Sequence, residues 1–331
     1  MRTALSRLPW LPRAAVCALV ALAVVCGTVA ATAHARPAPW RAGQASVSAA
    51  AGITSTDLAI NTQGGQVFAA FRIGERIEIA RTNLDGVEER RWKFKPDRDT
   101  TDIAISPRTE ETVLSVDDEH LMVRRYDRDG FRNASWETGF NGLTTDLTVH
   151  EVTREVNATV VGDHVYVVML TADGVLEEAR TTVFTGTYGT LALGPRRQTY
   201  VAVENTIDLE APGAAARFTE DGEMAGRWDL EEPPVGIASG IFDDVFVVTR
   251  SDDGSDGGVY RYMDDGRLVT DWRLGAVPTD VVVDTEGMVY VATLRSRRHM
   301  MAVTKFTPAG EWRGHWMALS RLYMPVVERA P

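Results

Sequence analysis

Six glycines set the frame of this chain. Gly86, Gly130, Gly174, Gly222, Gly266 and Gly310 follow one another at spacings of 44, 44, 48, 44 and 44 residues. An acid precedes five of them (Asp85, Asp129, Asp173, Asp221 and Asp265), and Ala309 precedes the last. Six residues after the glycine stands a tryptophan in five units, Trp92, Trp136, Trp228, Trp272 and Trp316, with Arg180 in the third unit. A second landmark keeps step with the first. Thr56-Asp57, Thr101-Asp102, Thr145-Asp146, Gly189-Thr190, Val235-Gly236 and Thr279-Asp280 are spaced by 45, 44, 44, 46 and 44 residues. Two landmarks with one period over six copies define a repeat array, which bounds the fold before any other reading.

Each unit contains four short runs bounded by Gly, Asp or Pro. In the last unit they are 279–284, 287–293, 301–306 and 308–316. Apolar or alternating runs of five to seven residues between turn signals are strands. The Asp-Gly pair before the fourth run reads as a two-residue hairpin turn, because glycine accepts positive φ and aspartate tolerates it. No unit shows a helical period over ten or more residues, so helical repeats of similar length are excluded. Four strands per unit and six units predict an all-β fold, a six-bladed β-propeller of four-stranded antiparallel blades. The repeated tryptophan is expected on the outer strand, packed between neighbouring blades. How the ring closes is left open, since all six units look complete. The spare segments 44–51 and 323–328 could each add a strand.

The N-terminus has the three parts of a secretion signal. Arg2, Arg7 and Arg13 form a basic start, residues 14–33 carry no charge, and Ala33-His34-Ala35 is a cleavage site. The expected division is a signal peptide at 1–35, a lead-in at 36–54 and the propeller at 55–331, in a secreted or periplasmic protein. A retained membrane anchor is the alternative, because 20 weakly apolar residues can span a bilayer. Both cysteines, Cys17 and Cys26, lie inside the signal. The mature chain therefore has no disulfide, thiolate metal site or cysteine nucleophile. Cleavage after residue 35 removes three of 35 basic residues and none of 46 acidic ones, taking the net charge from −11 to −14. A nucleic-acid binder would show a basic footprint, so that class is excluded, and anionic lipid is disfavoured. No amphipathic segment suggests an obligate oligomer, and a monomer is expected.

The sixth unit resembles the NHL repeat in Pro278, Asp280, Val281, Val283, Asp284, Gly287, Val289, Val291 and Ala292, then Lys305-Phe306 and Gly310. The fifth resembles it less, and the first three keep the Asp, the apolar strands and the turn glycine without the proline. The resemblance spans residues 56–316 and implies the propeller fold. It does not choose a function, since NHL-like propellers include binding platforms, sensor domains, lyases and metal-dependent lactonases.

Two constellations fall where a propeller usually carries ligands, at the start of the first strand and in the loop between strands two and three. Asp57, Asp102, Asp146 and Asp280 occupy one position in four blades and should converge on the channel mouth, with Thr190 and Gly236 completing the circle. Carboxylates converging with room for water would suit Ca2+ or Mg2+. The other reading is that this Asp starts its strand by bonding nearby backbone N–H groups. The second constellation is a basic sector, Arg72 and Arg76 in the first unit with Arg295, Arg297, Arg298 and His299 in the sixth, in an otherwise acidic rim. Arginine forks there would hold a carboxylate, phosphate or sulfate, although ordinary solvated loop charge has the same appearance. Neither an H-E-x-x-H motif nor a G-x-S-x-G elbow occurs.

The leading expectation is an extracytoplasmic binding propeller for a small anionic ligand or an acidic peptide. The rival is a metal-dependent lactonase or lyase with a cation at the channel mouth. Against it, the mouth shows only Asp, with Asn61, His150 and Asp284 at the far ends of first strands. A purely structural domain in a larger assembly is the third expectation.

Overall fold

The computed structural model describes residues 53–98, 100–116, 121–195, 197–204, 211–295 and 300–319. The expected signal peptide, most of the lead-in and both spare segments lie outside them. Among the described residues, 24 strands form six four-stranded antiparallel sheets, each made of consecutive strands. Blades 1 to 6 are residues 53–94, 100–137, 143–181, 188–230, 234–273 and 277–319. The first strands are Ile53–Asn61, Thr100–Ser106, Leu143–Val149, Tyr188–Leu193, Pro234–Ser239 and Val277–Val283. Each touches the first strand of the next blade, and that of blade 6 touches that of blade 1, so the six form a closed ring. The six-bladed propeller expected from the repeat is the fold.

Burial explains why the strands read as they do. The second strand of blade 2, Glu111–Val116, is buried at every position. It has a neighbouring blade on each face, so burial does not alternate along it, and Glu111, Thr112 and Ser115 are buried with Val113, Leu114 and Val116. The fourth strands lie at the rim. Arg132–Glu137, Leu176–Thr181 and Leu268–Arg273 alternate between exposed and half-buried positions. The core is divided accordingly into clusters that each join two adjacent blades. Phe68, Ile77, Trp92, Ile103 and Leu114 fill the seam between blades 1 and 2. Leu58, Phe71, Tyr290, Leu294 and Met301 fill the seam between blades 6 and 1. The ring therefore closes by side-chain packing, without a borrowed strand among the described residues.

The two halves of the glycine–tryptophan landmark turn out to be one contact made across seams. In five blades the glycine lies under an outer-strand aromatic of the blade before it. A Cβ on Gly86 would strike Trp316, one on Gly174 would strike Trp136, and one on Gly310 would meet Trp272 at 2.7 Å. Blade 1 offers Phe94 rather than Trp92 in this role, against Gly130 of blade 2. The expected position of the tryptophans between blades is thus correct, and the glycine is there partly because nothing larger fits.

The turn itself differs from the two-residue form. Asn83 N–H donates to Val87 O at 3.0 Å, and Gly86 N–H donates back to Asn83 O at 3.0 Å. Three residues, 84–86, therefore make the loop. Gly86 alone has positive φ, +81°, while Asp85 does not. This is a type I turn completed by a left-handed glycine, with the register slipping between Arg81 and Thr82. Asn83 Oδ1 accepts the N–H groups of Asp85 and Val87 at 3.0 and 2.9 Å, so a side chain before the pair shapes the turn.

Candidate functional site

Strand register puts the second landmark on one rung of all six blades. Asp57 is opposite Ala70, Asp102 opposite Ser115, Asp146 opposite Thr159, Thr190 opposite Ala202, Gly236 opposite Val248 and Asp280 opposite Ala292. The convergence expected for these aspartates is real, and the carboxylates feel one another's charge.

What they bond to follows from their place. A first strand is the inner edge of its sheet, and one side of its backbone has no strand partner. The aspartate of the preceding blade supplies the acceptor. Asp57 Oδ2 accepts Ile105 N–H at 2.9 Å, and Asp280 Oδ2 accepts Leu58 N–H at 2.5 Å. Asp146 Oδ2 accepts both Leu191 N–H and the Thr190 hydroxyl at 2.7 Å. The threonine of the dipeptide helps in blade 3, where Thr145 Oγ1 donates to Gly189 O at 2.8 Å. Asp280 also accepts the nearby Val281 N–H at 2.7 Å, as a strand-starting aspartate should, but Asp57, Asp146 and Asp280 in addition reach the next blade and so tie the ring from inside.

The ties carry an electrostatic cost. Burial, followed by the charges of Asp280, Asp102 and Asp146, holds the Asp57 carboxyl well above the ordinary range. Burial and the Asp146 charge push Asp280 up to about 8. Burial takes Asp146 to about 6 despite its hydrogen bonds from Thr190, Leu191 and Leu147. As a cation cage the ring fits poorly: among the described residues no three acids or histidines are grouped to hold a metal ion. The far end of the channel is built for turns. Asn61 Oδ1 accepts Gly64 N–H at 2.8 Å, His150 Nδ1 accepts Thr153 N–H at 3.1 Å, and Asp284 Oδ1 accepts Met288 N–H at 2.8 Å. Thr62 of blade 1 donates to Glu151 of blade 3 at 2.9 Å, spanning that end.

The basic sector is placed in part. Arg72 Nε donates to Gly74 O at 2.9 Å and its Nη1 donates to Thr100 O, so this side chain turns towards blade 2. Arg76 begins the third strand of blade 1 and is exposed. Arg295 ends the second strand of blade 6. Arg297, Arg298 and His299 lie outside the described residues. The two hairpins are neighbours, since Ile73 packs against the cluster containing Leu294 and Met301. Two acids of the rim are internally paired, Glu204 with Arg250 at 2.8 Å and Asp256 with Arg273 at 3.6 Å.

One periodic signal escaped the sequence reading. Five residues before each turn glycine stand Arg81, Arg125, Met169, Arg217, Arg261 and Lys305. The cations reach over the seam. Arg81 and Arg217 pair with Glu110 and Asp264 of the next blade. Arg261 donates to Pro308 O at 3.4 Å and Lys305 to Leu84 O at 3.3 Å. Blade 3 is the exception, with Met169. There Arg180, the residue that replaces tryptophan, donates to Thr219 O at 3.2 Å and to Glu220 O. Its guanidinium lies against Gly222, 2.8 Å from where a Cβ would be. One arginine thus does the work of both the missing cation and the missing aromatic.

No sequence-family model matches the chain, and neither does any curated protein. Solved structures do resemble it. A catalytically inactive virginiamycin B lyase from Staphylococcus aureus, determined with quinupristin, superposes with a TM-score of 0.55 at 17% identity, covering 79% of this chain and 83% of that one. A streptogramin B lyase gives 0.55 at 16% identity, over 82% of this chain and 84% of its own. The Cps50 (Swd1) β-propeller domain of Myceliophteria thermophila gives 0.51 at 11% identity, over 76% and 82%. At these identities the likeness is one of fold.

Proposed function

We propose that the chain is an extracytoplasmic binding propeller that takes a small anionic ligand or an acidic peptide where the second hairpins of blades 1 and 6 meet. The observation that carries this reading is the packing of Ile73 against the inter-blade cluster that includes Leu294 and Met301. Arg76 begins the third strand of blade 1 and Arg295 ends the second strand of blade 6, with Arg297 and Arg298 next in sequence, which supports a shared basic site there. Guanidinium groups from two hairpins suit a planar anion, because each fork donates two parallel hydrogen bonds. The lyase or lactonase reading requires a cation at the channel mouth, where three of the carboxylates already accept ring hydrogen bonds.

Calorimetric titration with citrate, inorganic phosphate and a hexaglutamate peptide tests the proposal. We expect at least one probe to bind, and replacement of Arg295, Arg297 and Arg298 by Ala to weaken it by about tenfold or more. Unchanged affinity in that variant, or no binding of any probe to the wild type, would contradict it.

A further inference from the structure

The opposite end of the same seam differs from its counterparts. Between blades 1 and 2, Arg81 and Arg90 of blade 1 hold the Glu110 carboxylate of blade 2, Arg90 at 3.3 Å. Asp129 stands 4.0 Å from Arg90. Glu110 occupies the left-handed position before the second strand of its blade, at φ 58°.

The corresponding places between blades 6 and 1 are taken by Lys305 for Arg81, Gly314 for Arg90, Asp85 for Asp129 and Gly65, at φ 62°, for Glu110. Two side chains that fill the first seam are therefore missing from this one. A Cβ on Gly314 would meet nothing within 4 Å. A cavity of about 310 Å³ remains, lined by Leu84, Asp85, Lys305, Arg313, His315 and Trp316 among others. Lys305 donates to Leu84 O at 3.3 Å and lies 5.2 Å from the centre of the Tyr290 ring, without a carboxylate partner among the described residues. Among the described residues Arg313 pairs with Glu311 of its own blade, at 2.8 Å. Asp85 is the acid of the lining, set among Lys305, Arg313 and His315, with Glu311 outside it beside Arg313.

We propose that this cavity binds a small carboxylate, whose head group takes the place that the Glu110 side chain fills one seam away. Lys305 and Arg313 supply the positive charge, and Trp316 and Leu84 form an apolar wall for the rest of the ligand. The volume is at the small end of ligand pockets, which suits a compact monocarboxylate. The site lies on the face opposite the arginine hairpins and does not depend on them.

The repeat itself supplies the test. Gly65→Glu installs the missing carboxylate at a backbone conformation that Glu110 already adopts. Lys305→Met removes the cation, and Met169 occupies that place in blade 3. Butyrate is titrated into the 15N-labelled protein while the Trp316 indole N–H is followed. The wild type should show a saturable shift. Gly65→Glu should abolish it and raise the melting temperature, because the added carboxylate replaces the ligand. Lys305→Met should weaken the shift by about tenfold or more, and it decides the matter alone if Gly65→Glu does not fold. No saturable shift in the wild type, or equal shifts in the wild type and both folded variants, would overturn the proposal.

Discussion

Asp280 holds the Leu58 N–H at 2.5 Å in a place where its own charge is poorly solvated. Its carboxyl is lifted to about 8 from an ordinary 3.8, first by burial and then by Asp146. Between those values the folded chain keeps a proton that the unfolded chain has released. Stability from this group therefore falls as pH rises towards 8 and is regained as pH falls towards 4. Asp280→Asn keeps an oxygen acceptor and discards the charge. We expect it to melt above wild type at pH 8 in chelator-containing buffer, with the gap closing near pH 4.5. A lower melting temperature at pH 8 would mean that the charge stabilises the ring. Asp280→Ala leaves the Leu58 N–H without its acceptor and should cost about 1–3 kcal/mol in denaturant titrations. The sequence showed that these aspartates share a position, and it offered both a turn role and a metal role. It could not show the tie between blades, because the Leu58, Ile105 and Leu191 N–H groups that make it lie in a different repeat.

Among the elements, the outer hairpin of blade 3 shows how a repeat absorbs an exception. Elsewhere a cation on the third strand and an aromatic on the fourth act on the next blade separately. In blade 3 those places hold Met169 and Arg180, and Arg180 bonds the carbonyls of Thr219 and Glu220. Met169→Arg should be nearly neutral, while Arg180→Trp should be destabilising because the two carbonyls lose their donor. The double variant restores the pattern of the other blades and should recover most of the loss, a coupling of about 1–2 kcal/mol in a double-mutant cycle. Strict additivity would show that the exchange is accidental. The glycine and tryptophan periods were legible because each is a rare residue at a fixed interval. Their meaning as one contact was not, since Gly174 and Trp136 belong to different blades. The turn was misread because Asp-Gly serves both two- and three-residue hairpins, and only the backbone bonds of Asn83 distinguish them.

For the whole molecule, closure depends on the seam between blades 6 and 1. Phe71 is fully buried in it, beside Tyr290 and Leu294. Phe71→Ala should cost about 3–5 kcal/mol, with unfolding remaining a single transition in calorimetry, because each blade buries its faces only against its neighbours. A separate early transition confined to blades 6 and 1 would show that the ring opens there first. Fold class was readable from the repeat alone. The basic sector at one end of the seam was readable only as a charge pattern, since solvated and ligand-holding arginines look alike in a sequence.

The division of labour between channel and seam is the central claim, with ring aspartates as inter-blade acceptors and ligands bound at the junction of blades 6 and 1. The most direct measurement is elemental analysis of the purified protein after dialysis at neutral pH, with thermal melts taken with and without chelator. We expect well under one divalent ion per chain and the same melting temperature in both buffers. One bound ion per chain, together with a melt lowered by chelator and restored by Ca2+ or Mg2+, would make the ring a metal site and contradict the claim.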